Sequence, residues 1–60
     1  MERGSNYLIT YKKFNKSITA MFYEEKNGTY FFKDRSGLFG VSQRAINNGD
    51  ISIELIESEF

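Results

Sequence analysis

The chain is expected to form one small α+β domain: a mainly antiparallel four-stranded sheet built from a β-meander, a short helix and a final strand. Three observations predict it. Apolar and polar residues alternate with a period of two through much of the first half, the spacing of strands with half-buried faces. Asn27-Gly28 stands between two aromatic runs, and that pair tolerates the positive φ angles a tight hairpin demands. Ser42, Ile46 and Gly49 are placed as the cap, the docking residue and the terminator of a helix of about two turns.

Taken in order, MERGS at residues 1–5 is expected to fray. Strands are expected at about 6–13, 17–25, 29–34 and 51–57, with the helix at 42–48. A two-residue turn at Asn15-Lys16 would set Ile9 opposite Phe22 and Tyr11 opposite Ala20. Leu8 would then oppose Tyr23, and Thr10 would oppose Met21, on the reverse face. The register of the second hairpin stays open, because two-residue and three-residue loops differ by one residue and that exchanges the faces of strand three. Either way one of Phe31 and Phe32 is buried. Further breaks fall at Asp34–Gly37 and Asn47–Asp50. In the helix, Val41 and Ile46 are spaced as a hydrophobic staple, but Ala45 occupies the place where Glu or Gln would complete a capping box. So short a helix persists only when docked, here through Ala45 and Ile46. In the last strand Ile51, Ile53 and Leu55 face a core, while Ser52 and Glu54 face water.

A chain of 60 residues buries only about 60% of the surface its unfolded form exposes. The usual additional constraints are missing. Without Cys or His the chain can form neither a disulfide nor a thiolate or imidazole metal site, and it carries no thiol nucleophile. Its six Phe and four Tyr, together with self-association, are the expected sources of stability. No apolar run approaches the roughly 18 residues of a membrane span, and with no apolar leader the cytoplasm is the expected compartment.

Catalysis is not expected. Glu24 and Glu25 are adjacent in a strand and point to opposite faces. Ser36, Ser42 and Ser52 have no His to activate them, and Gly37-Leu38-Phe39-Gly40 lacks the Lys of a phosphate cradle. A domain of this size also offers little room for a pocket of a few hundred Å³. No cofactor or metal is implied.

Charge is divided along the chain. Residues 1–35 carry seven positive and four negative side chains, a balance of +3, and residues 36–60 carry one and four, a balance of −3. Cross-strand pairs between Lys12, Lys13 or Lys33 and Glu54 or Glu57 are therefore expected, and head-to-tail pairing of copies would use the same complementarity.

The segment Phe39-Gly40-Val41-Ser42-Gln43-Arg44-Ala45-Ile46 resembles the turn and the start of the recognition helix in the helix-turn-helix family. That resemblance implies base reading by Gln43 and Arg44. It stops upstream, where Gly37 interrupts the place of the first helix, and the acidic balance of residues 36–60 is the wrong sign for phosphate contacts. Asn27-Gly28-Thr29-Tyr30-Phe31-Phe32-Lys33-Asp34-Arg35-Ser36-Gly37 resembles the aromatic hairpin repeats of cell-wall-binding proteins, but a single copy cannot stack as such arrays do.

What the composition supports is protein binding through a sheet face or edge, as an adaptor or inhibitor and with a homodimer expected, because one short helix cannot cover two apolar faces. The candidate contact residues are Tyr7, Tyr11, Tyr23, Tyr30, Phe32, Lys33, Arg35 and Arg44. The alternative is RNA or single-stranded DNA, with bases stacked on those aromatics beside Lys12, Lys13, Lys33 and Arg35.

Overall fold

Alternation builds strands wherever it runs, and the computed structural model, which describes residues 1–56, shows one more strand than the pattern announces. The strands are β1 (Asn6–Tyr11), β2 (Lys16–Lys26), β3 (Thr29–Asp34), β4 (Gly37–Ser42) and β5 (Ile51–Leu55). The helix α1 (Gln43–Asn47) lies between β4 and β5, and a single 3₁₀ turn, Lys12–Phe14, joins β1 to β2. The order across the sheet is β4-β3-β2-β1-β5, and every neighbouring pair is antiparallel. Thus the expected meander of three strands has four, and the final strand returns to pair with the first.

The missed strand shares Phe39–Ser42 with the segment that resembles a DNA-reading turn. Gly37 and Gly40 mask its alternation, yet Phe39 and Val41 point inward, packing with the core, while Leu38 and Ser42 are exposed. Ser42 ends β4 and also caps α1, its hydroxyl accepting from the Arg44 N–H at 3.1 Å. At the other end of α1, the Gly49 N–H donates to the Ile46 carbonyl and the Asp50 N–H to the Ala45 carbonyl, with Gly49 at φ 87°. That double bond pattern is a Schellman stop, so the expected cap and terminator both stand.

The first hairpin slips from the expected register. Ile9 pairs with Ile18 in place of Phe22, and Tyr11 with Lys16 in place of Ala20. The cause is the place of the loop: the 3₁₀ turn and Asn15, left-handed at φ 52°, turn the chain two residues earlier than Asn15-Lys16 would, and each residue of displacement shifts the pairing by two. The slip, from Phe22 to Ile18, is four residues; being even, it leaves every side chain on its expected face.

The second hairpin turns through two residues, Asn27 at φ 53° and Gly28 at φ 80°, both in the left-handed region that type I′ hairpins require. A two-residue turn alone would set Tyr23 opposite Phe32. Instead a β-bulge between Phe22 and Glu24 makes Tyr23 the extra residue and sets Phe22 opposite Phe32. Glu24 then shares the opposite face with Phe31, so the bulge keeps an aromatic inside and a carboxylate out.

The core is Tyr7, Ile9, Ala20, Phe22, Phe32 and Val41, with Tyr11, Ile18, Tyr30, Phe39, Ile46, Ile51 and Ile53 packed against it. Phe32 has no exposed surface. Its ring lies 5.6 Å from Phe22 and 6.2 Å from Tyr7, both edge to face, and 5.9 Å from Phe39, stacked. These are the separations at which aromatic pairs add to simple burial. The core lies on the inner side of a curled sheet, with α1 against both edge strands, β4 and β5. Residues 1–5, expected to fray, make specific bonds: the Gly4 N–H donates to the Phe22 carbonyl, the Phe22 N–H to the Ser5 carbonyl, and the Glu2 N–H to the Tyr7 hydroxyl.

The expected charge pairs do not match this topology. Lys33 in β3 and Glu54 in β5 are separated by two intervening strands, roughly 14 Å of sheet. Lys12 and Lys13 lie in the 3₁₀ turn, and Glu57 lies outside the described residues. Among the described residues, no helix is long and apolar enough to cross a membrane, and no cluster of acidic side chains could hold a metal ion.

Candidate functional site

Curling of the sheet brings the first hairpin toward the edge strand β4. Between them lies an apolar groove of about 540 Å³, lined by Tyr11, Phe14, Lys16, Ile18, Phe39 and Gly40. It is a groove open to solvent and not an enclosed pocket.

Each wall has a local cause. Tyr11 is the last residue of β1 and Ile18 is near the start of β2, both on the core side of the sheet. Phe39 is held by stacking on Phe32. Phe14 is set by the 3₁₀ turn, which the Asn15 N–H closes on the Lys12 carbonyl at 3.2 Å. The Lys12 N–H in turn donates to the Asp50 carbonyl at 3.0 Å, anchoring the turn to the segment that follows α1. Phe14 is nonetheless 72% exposed. Lys12, Lys13 and Lys16 flank it in the sequence, all exposed. Burial raises the Tyr11 phenol above its usual 10.0, and the negative charge of Asp34 raises it further. Asp34 thus lies close enough to act on the groove wall.

Gly40 forms the floor at the edge. A Cβ there would come within 2.9 Å of the Thr29 methyl and 3.3 Å of the Phe31 ring, so glycine is what lets Phe31 cover the strand. The backbone phase of β4 is fixed by the Gln43 N–H, which donates to the Gly28 carbonyl at 2.9 Å. Hydrogen-bonded positions alternate in an antiparallel pair, so Val41 and Phe39 bond β3 while Leu38 and Gly40 turn their N–H and C=O groups outward. Among the described residues, this edge is unpaired and runs beside the apolar groove.

The residues singled out in the sequence are scattered by the fold. Tyr7 and Phe32 are core residues, which leaves no ring face for a partner. Tyr11 lines the groove. Tyr30 lines a separate concavity with Arg3, Glu24 and Glu25. Tyr23, 45% exposed, is the bulge residue of β2. Lys33 is exposed on β3, Arg35 in the β3–β4 turn and Arg44 on α1, where a polar concavity also takes in Asn27, Gln43 and Asn48. The groove residues missed in the sequence are Phe14, Lys16, Ile18, Phe39 and Gly40. One signal was visible: Phe14 is an aromatic out of phase with the strands and set among three lysines.

Neither known protein families, nor curated proteins, nor solved structures contain a match to this chain.

Proposed function

We propose that this protein is a non-enzymatic binding module that takes a segment of another protein into the groove between the first hairpin and β4, and so acts as an adaptor or inhibitor. The observation that carries this reading is Phe14. It is a large apolar side chain, 72% exposed, held by a closed and anchored turn beside three further apolar walls. Exposed aromatics in a concave apolar setting are the residues that anchor interfaces. Homodimerisation through the same surface is the self-directed form of this reading.

Selection from a random peptide library, followed by titration on labelled protein, tests it. The expected result is a set of peptides that shift the resonances of Tyr11, Phe14, Ile18 and Phe39, with Phe14→Ala weakening them by about thirtyfold, as for a truncated anchor. Peptides that bind elsewhere, or bind Phe14→Ala as well as wild type, would reject the groove as the site.

A further inference from the structure

Resting on the groove reading above, we infer that the occupant is an extended acidic and apolar peptide segment that adds to β4 as a sixth strand. Two observations make this more specific than a greasy patch.

The first is the backbone edge. Leu38 and Gly40 direct their N–H and C=O groups away from β3, beside Tyr11, Phe14, Ile18 and Phe39. No backbone bond outside the ladder uses either residue among those described. An added strand would pair with these groups, and its alternate side chains would enter the groove, which is how sheet edges recognise extended peptides. A nucleic acid strand could stack on the aromatics but has no backbone to match the edge.

The second is charge. Lys12, Lys13 and Lys16 fall within the five residues of the hairpin tip, where there is no acidic side chain. All three are exposed, and none of the side-chain hydrogen bonds among the described residues involves them. Asp34 acts on Tyr11 and the Asp50 carbonyl accepts from the Lys12 N–H, so two acids adjoin the tip against its three lysines. Carboxylates on the incoming strand are complementary to it and speed encounter more than they tighten the complex.

The probe is the blocked peptide Glu-Val-Glu-Phe-Glu-Val, titrated onto the full chain, with two N-methylated forms. In one form the methyls sit on the amides that face β4, and in the other on those that face away. The expected result is saturable binding with slowed exchange at the Gly40 N–H. Methylation of the inward amides should weaken binding about tenfold or more, and methylation of the outward ones should leave it unchanged. Leu38→Pro removes an outward N–H at an edge position that tolerates proline, and it should weaken binding by a similar factor without unfolding the domain. Should that variant fail to fold, the two methylated peptides decide alone. Equal binding of both methylated forms, with Phe14→Ala still impaired, would reject strand addition while leaving the groove as the site. Tighter binding of a second peptide with Lys in place of each Glu, or no binding of the acidic one, would overturn the inference. So would oligothymidylate competing at the groove, or a Phe14-dependent dimer blocking it.

Discussion

The two hairpins that share β2 are closed in opposite ways. Between β2 and β3 the chain turns through Asn27 and Gly28 alone, and the strands leaving the turn carry Phe22 and Phe32 into contact at 5.6 Å. Between β1 and β2 it takes the 3₁₀ turn and Asn15, and presents Phe14 and three lysines to solvent. A chain whose core is marginal at this length gains little stability from an exposed phenylalanine. The contrast separates residues that hold the fold from residues that the fold holds out.

The largest effect that would confirm the division is in the core. Phe32→Ala should cost about 3–5 kcal/mol, most or all of the stability of a domain this small, and should abolish the cooperative thermal transition. Survival of a sharp transition would show that the aromatic cluster is not the centre of the fold.

Next comes the tight turn. Gly28→Val places a β-branched residue at φ 80° and should cost about 1–3 kcal/mol in urea unfolding. Asn15→Gly, in the looser hairpin, relieves a left-handed φ of 52° and should be neutral or stabilising by a few tenths of a kcal/mol. Similar losses at both sites would erase the distinction between the turns.

Smaller still is the stability effect of Phe14→Ala. Truncation of a side chain that is already mostly in water should change unfolding free energy by no more than about 0.5 kcal/mol. A loss above about 2 kcal/mol would make Phe14 a structural residue and remove the principal support for a binding groove.

The same contrast explains what could be read from the sequence. Strands β1, β2, β3 and β5 were legible because alternation depends only on side chains, and an even slip in the first hairpin leaves the faces unchanged. The helix was legible because caps are local: Ser42 and Gly49 act on residues within one turn. Strand β4 was not, because two of its six residues are glycines and its last two, Val41 and Ser42, also spell a helix start. The bulge at Tyr23 was equally hidden. It arises from the conflict between a two-residue turn and the need to bury Phe22, and that conflict exists only once three strands are together. The groove depends on the unseen strand, on the curl and on the loop length. Hence Tyr7 and Phe32 looked like contact residues while Phe14 and Phe39 passed as a turn residue and a connector.

The smallest expected effect joins the two regions, because Asp34 ends β3 and acts on Tyr11, the last residue of β1. Burial, and secondarily the charge of Asp34, raise the folded phenol above 10.0. A group raised on folding contributes stability that is complete below its unfolded value and is lost as pH climbs through the folded one. Wild type should therefore lose thermal stability from about pH 9 upward more steeply than Tyr11→Phe, with the two curves parallel below pH 9. Asp34→Asn should lessen the difference without abolishing it, since burial is the larger cause. A peptide filling the groove would bury the phenol further, so that the loss would begin at the same pH and continue to a higher one. If the curves of wild type and Tyr11→Phe stay parallel throughout, the hairpin does not close over β4 in solution, and the groove wall that Tyr11 supplies is lost with it.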